Sequence, residues 1–157
     1  MSPRMTVARD RHDQPMSDDD CRLCQLIDGR LASTSPYEDE LVFTLMDYQP
    51  INPGHVLVVP RVHVALLDDL DEEVGAAMFR VGHRMSRALR RSGLCCEGVN
   101  LFLADGEAAF QEVPHVHLHV FPRFAGDSFR IDADWRIRPA AQLEEAARAV
   151  QAGLGTA

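Results

Sequence analysis

Between Pro114 and Arg123 the chain reads PHVHLHVFPR, with His115, His117 and His119 on every second residue and Val116, Leu118 and Val120 between them. In a strand successive side chains point to opposite faces, so this alternation sorts the imidazoles onto one face and the aliphatic groups onto the other. The spacing predicts a strand over 115–121 whose apolar face packs on a helix. Its imidazole face must border a site, because each buried ring needs a hydrogen-bond partner and Val or Thr would suit a strand better. Neighbours on one face stand about 7 Å apart and the outer pair about 13 Å, too far for all three to share one metal ion. Each histidine is therefore expected to have its own task.

Two further stretches, LVFTLMDY (41–48) and HVLVVP (55–60), have strand composition, and Pro50, Asn52, Pro53 and Gly54 between them mark a loop. They predict a hairpin-like pair. GVNLFLA (98–104) predicts another strand, joined to 115–121 by the Gly-containing loop DGEAAFQEV. From Asp69 to Arg91, Val74, Met78, Val81, Met85 and Leu89 recur every three or four residues, with a capping-box pattern at Asp69 and Glu72 and a stop at Gly93. This predicts a long helix whose apolar stripe serves either the core or a dimer. DDDCRLCQLIDGR predicts a short helix bearing Cys21 and Cys24, and 140–151 predicts a last amphipathic one. Strands adjacent in sequence, with helices in separate blocks, give an α+β fold with an antiparallel sheet. At 157 residues one domain is expected, spanning 18–135 between a tail at 1–17 and a helical segment at 136–157.

All 16 basic residues are Arg, which excludes a P-loop lysine, a Schiff-base lysine and a kinase-type lysine. A net charge of −8 argues against a nonspecific grip on nucleic acid or an anionic membrane, so neither is expected as a partner. No run approaches the ~20 apolar residues of a membrane span, and Met1 to Asp20 is polar rather than signal-like, so a cytoplasmic protein is expected. In a reducing compartment Cys21, Cys24, Cys95 and Cys96 are thiols or metal ligands rather than disulfides. Cys95 and Cys96 are expected to bury at a helix-to-strand junction. Cys21-x-x-Cys24 lacks the preceding strand of a thioredoxin-like redox motif, and as a zinc motif it needs two more ligands.

QEVPHVHLHVFP resembles the His-x-His-x-His signature of the histidine triad (HIT) nucleotide hydrolases and transferases. The resemblance runs from about Asp20 to Phe124 through CRLCQLI, YEDELVFTLMDYQPINPGHVLVVPRVHV and GVNLFLADGEAAFQEV. It implies an antiparallel sheet of about five strands with one long helix and shorter terminal helices, assembled as a homodimer. It also implies that His117 attacks the α-phosphorus of an adenosine-type nucleotide, a dinucleoside polyphosphate or a nucleoside phosphoramidate. The covalent nucleotidyl-histidine is then resolved by water or another acceptor, and a backbone carbonyl of the triad strand fixes the tautomer of His117. By the same resemblance His119 and His55 donate to phosphate oxygens or support the row. Gln111 and Val113 belong to the phosphate-facing loop, Asp47 accepts from ribose hydroxyls, and Leu26 with Leu23 and Leu45 lines the base pocket.

In the zinc-bearing branch of the family, and in the related galactose-1-phosphate uridylyltransferases, the Cys pair is completed by a His after the VVP strand and by the first His of the triad. Those positions match His63 and His115, which implies a closed, structural Zn²⁺ with Cys21 and Cys24. Two departures bear on the leaving group. Ala104 stands where some branches carry an amide side chain, and Phe110 stands where a Gly precedes the Gln. They support an alternative reading, a nucleotide-binding sensor or interaction module with negligible turnover. His12 and His83 match no family position and are expected at the surface.

Overall fold

The tail expected at 1–17, with His12, lies outside residues 19–155, which the computed structural model describes. Four strands form one antiparallel sheet in the order β1-β2-β4-β3: β1 (Val42–Met46), β2 (Val56–Pro60), β3 (Gly98–Leu103) and β4 (Leu118–Arg123). Among the described residues the strand count is four rather than the five expected. Helix α1 (Arg22–Ile27) precedes the sheet, α2 (Glu72–Arg91) joins β2 to β3, and α3 (Ala140–Leu154) ends the chain. None is long and apolar enough to cross a membrane.

The histidine row enters the sheet later than its alternation predicts. Val56, Leu57 and Val58 pair with Val120, His119 and Leu118, and there the ladder stops. Pro60 has no N–H to extend it, and its carbonyl accepts instead from His115 Nε2 at 3.0 Å. The Val116 N–H goes to the Val64 carbonyl at 2.8 Å. His115 and His117 therefore lie on a non-ladder approach to β4, and only His119 is a strand residue. Freed from the pleat, the His117 and His119 rings come within 4.8 Å of each other.

The two faces of the sheet have different covers. On one, Val42, Val56, Val58, Val116, Leu118 and Val120 pack against Ala77, Met78, Val81, Met85 and Leu89 of α2, so the helix stripe serves the core. Gly82 permits that approach, since a Cβ there would meet Leu118 Cδ2 at 2.8 Å. On the other, Phe43, Leu45, Leu57 and Val59 pack against Cys21, Leu23, Cys24 and Leu26 of the α1 region. The functional side chains share this second face.

The α2 cap is Asp71, whose carboxylate accepts from the N–H groups of Glu73 and Val74 at 2.9 and 3.3 Å. The box expected from Asp69 and Glu72 is not used, because residues 67–69 form a separate 3-10 turn. Cys95 is exposed and Cys96 only partly buried, against the burial expected for them. Cys96 packs against the edge of the α2-side core, and its Sγ reaches the Gly98 carbonyl at 3.3 Å. His83 is exposed, as expected, and α3 carries no buried residue.

Candidate functional site

Each of the three row histidines has a different partner. His115 is fully buried and donates Nε2–H to the Pro60 carbonyl, which leaves Nδ1 as a ligand atom. That nitrogen lies 3.4 Å from Cys21 Sγ, 3.5 Å from Cys24 Sγ and 3.3 Å from His63 Nδ1, and His63 Nδ1 lies 3.3 Å from Cys24 Sγ. An ion about 2.3 Å from sulfur and about 2.0–2.1 Å from nitrogen, with tetrahedral angles, requires N···S edges of about 3.5 Å and N···N edges of about 3.3 Å. The four residues fit that figure, and their two thiols and two imidazoles are the donor set of a closed site. The first helix, the segment after β2 and the approach to β4 meet there.

His117, also buried, holds Nδ1 2.7 Å from the His115 carbonyl. Because a carbonyl only accepts, the proton is on Nδ1 and the lone pair on Nε2.

The third partner is His55, buried at 2% exposure between Phe121 and His119, with both ring centroids 5.1 Å from its own. The Ile51 N–H points at His55 Nδ1 from 3.2 Å, which places the His55 proton on Nε2. That proton is donated to His119 Nδ1 at 2.9 Å, and the proton of His119 is consequently on Nε2. Burial keeps both rings neutral. It lowers the pKa of His55 despite the attraction of Asp47, and with the neighbouring His117 and His55 it pushes His119 down to about 4. With His55 neutral, its 3.4 Å approach to Asp47 Oδ2 is not an ion pair.

His55, His117 and His119 line a cavity of about 340 Å³ with Leu23, Leu26, Leu45, Asp47 and Val113. The expected catalytic and substrate-binding residues thus meet at one concave place, except Gln111, which does not line it. The Gln111 side chain donates to the Ala65 carbonyl and accepts from the Gly106 N–H, both at 2.7 Å, so it braces the loop. Phe110, beside it, adopts a left-handed φ of 67°, costly for any residue with a Cβ, and stands at the cavity with 85% of its surface exposed. Ala104 is buried.

Sequence reasoning missed several lining residues. Arg22 lies over the Tyr48 ring at 4.5 Å from its centroid, and both border the cavity together with Gln49, Ile51, Leu57 and Glu112. Adjacency to Asp47 was the available signal for Tyr48, and adjacency to the Cys pair for Arg22.

A HIT domain model matches residues 29–126. An uncharacterized HIT-like protein from Borreliella burgdorferi is 39% identical over 111 residues, covering 70% of this chain and 80% of that one. Adenylylsulfatase HINT3 from Arabidopsis thaliana is 32% identical over 104 residues, covering 66% of this chain and 52% of that one. Among solved structures, a Zn-bound histidine triad family protein from Mycobacterium smegmatis aligns with a TM-score of 0.69 at 39% identity, covering 89% of this chain and 99% of that one. The matched model, these relatives and the histidine row agree: the chain belongs to the HIT domain family.

Proposed function

We propose that this chain is a nucleotide hydrolase or nucleotidyl transferase that works at the α-phosphate of an adenosine-type nucleotide through a covalent nucleotidyl-histidine on His117. One observation carries the reading. His117 Nδ1–H is committed to the His115 carbonyl at 2.7 Å, so Nε2 is the one reactive lone pair of a ring that lines the cavity. Family membership and the similarity to an adenylylsulfatase support hydrolysis or transfer of nucleotides as the general activity.

In the first step His117 Nε2 bonds to phosphorus as the bond to the leaving group breaks, and the leaving group takes up a proton from solvent. In the second, water or another acceptor bonds to phosphorus and gives up its proton to solvent as the P–N bond breaks, which returns the neutral imidazole. His119 Nε2–H stabilises charge on a phosphate oxygen, Asp47 takes the ribose hydroxyls, and Leu23, Leu26, Leu45 and Val113 hold the base. Gln111 contributes by fixing the loop. The functional unit in this reading is the domain over 18–135, with 136–157 appended, in a cytoplasmic homodimer whose partner is the small-molecule substrate.

Cys21, Cys24, His63 and His115 are assigned in this reading to a structural Zn²⁺. The fit of their ligand atoms to tetrahedral edges and the zinc of the Mycobacterium smegmatis relative support it. Four protein ligands leave no open position, so zinc would supply folding free energy and hold the His115 carbonyl for His117.

The test is a panel of adenosine phosphoramidates and dinucleoside polyphosphates offered to the purified chain. Release of adenosine monophosphate supports the enzyme. Binding without turnover supports the sensor reading, which the Phe110 ring at the cavity favours.

A further inference from the structure

Beyond the cavity, at the far end of β4, lies a second buried polar cluster. The side chain of Asp127 is 1% exposed. It accepts from Arg123 Nε at 2.5 Å and Nη2 at 2.7 Å, and from Asn52 Nδ2 at 3.0 Å. Arg123 is itself fixed, donating to Asn100 Oδ1 at 2.7 Å and to the Phe129 carbonyl at 3.0 Å. Its guanidinium also lies over the Phe129 ring at 4.8 Å. Asn52, 6% exposed, donates in addition to the Pro122 carbonyl at 2.9 Å. A buried charge this completely satisfied holds its surroundings in one arrangement, since moving any partner leaves an unpaired polar group.

What it holds is the loop before His55. The Asn52 carbonyl accepts the His55 N–H at 3.1 Å, and the residue before it, Ile51, sends its N–H to His55 Nδ1. Two proton arrangements are open to the line Asp47–His55–His119. In the one observed, Ile51 N–H occupies Nδ1 of His55, and His119 carries its proton on Nε2. In the reverse, His55 Nδ1–H donates to Asp47 Oδ2, 3.4 Å away, and His119 Nδ1–H donates to His55 Nε2. His119 Nε2 then offers the cavity a lone pair, which repels a phosphate oxygen. The Ile51 N–H decides between them.

We propose that Asp127, with Asn52 and Arg123, is a positioning cluster that holds Ile51 against His55 and thereby keeps His119 as a hydrogen-bond donor to the substrate phosphate. This inference rests on the nucleotidyl-transfer reading for its effect on rate, but its effect on the tautomer stands apart from it. The relation is one of distance in sequence and contact in space: Asn52 and Asp127 are 75 residues apart.

The test uses the full chain labelled with ¹⁵N on histidine. Long-range ¹H–¹⁵N spectra distinguish the Nε2–H and Nδ1–H tautomers of His119 without any substrate. Wild type should give Nε2–H. Asp127→Asn should give a mixture with Nδ1–H and lower kcat by at least about tenfold, with KM changed by less than about threefold and zinc content unchanged. Asn52→Ala should do the same while keeping the Arg123–Asp127 pair, and it decides the matter alone if Asp127→Asn does not fold. Adding Asp47→Leu to Asp127→Asn removes the acceptor of the reversed line and should restore Nε2–H. A wild-type tautomer in both single variants overturns the proposal, as does a kcat loss that tracks only the folded fraction. If wild type turns over no nucleotide, the functional reading fails, and the spectra still judge the cluster.

Discussion

His55 Nε2 lies 2.9 Å from His119 Nδ1, and because one proton occupies that contact neither ring can change tautomer without the other. The pair also makes the fold sensitive to acid. His119 has a folded pKa of about 4 against an ordinary 6.5, with burial as the first cause. Between these values the unfolded chain binds a proton that the folded chain does not, so stability falls as pH drops from 6.5 toward 4 and is fully present above 6.5. For a ring only partly buried, a shift of this kind is worth about 1–2 kcal/mol. Denaturant unfolding at pH 7 and pH 5 should show this loss in wild type and a smaller one in His119→Asn. An equal loss in both would contradict it.

Replacing His117 should separate chemistry from binding. His117→Ala is expected to lower turnover by at least about 10⁴-fold and leave nucleotide affinity within a few-fold, because Asp47 and the apolar wall of the cavity persist. His119→Ala removes one donor to the developing charge and should cost about 10²–10³ in kcat. Rapid-quench mass spectrometry should find the nucleotidyl adduct on the peptide containing HVHLH in wild type. An adduct elsewhere would remove His117 from its role.

The metal site makes a prediction of a different kind. Stoichiometric zinc should copurify with the chain, and Cys24→Ser should lower both zinc content and Tm, by roughly 5–10 °C. Since His115 carries the carbonyl that fixes His117, the same variant should also reduce kcat. Metal-free wild type with undiminished stability in chelator would exclude the zinc assignment.

What the sequence made legible follows from the range of each interaction. The row's alternation pointed to the histidines as a group even though only His119 lies in a strand, and the Cys pair was legible because its spacing is short. The start of β4 was not legible. It depends on Pro60, a residue of the partner strand, and on the capture of its carbonyl by His115 Nε2. The tautomer of His55 was equally hidden, since Ile51 acts through its backbone N–H, and every residue but proline carries one. Cys95 and Cys96 misled because composition suggests burial while the turn that bears them sits at the edge of the core, where Cys96 is partly buried and Cys95 exposed. Asp127 had a local partner in Arg123, four residues before it, but its tie to Asn52 in the loop between β1 and β2 had no local sign.

That loop supplies the last prediction. Gly54, immediately before His55, has φ 101°, outside the range that L side chains adopt. A Cβ built on it would meet Leu94 Cδ1 at 2.7 Å and Leu89 Cδ2 at 3.0 Å, so the α2–β3 turn closes directly over it. Gly54→Ala therefore combines backbone strain of about 1–3 kcal/mol with displacement of the Leu94 side chain. The strain falls on the residue that sets the His55 ring against His119, and kcat should fall together with Tm. Gly29 is the control. Its φ of 73° is also positive, yet a Cβ there meets nothing within 4 Å, and it lies past the end of α1. Gly29→Ala should cost about 1 kcal/mol of stability and leave kcat unchanged. Equal effects of the two substitutions on kcat would mean that the close approach at Gly54 does not position His55.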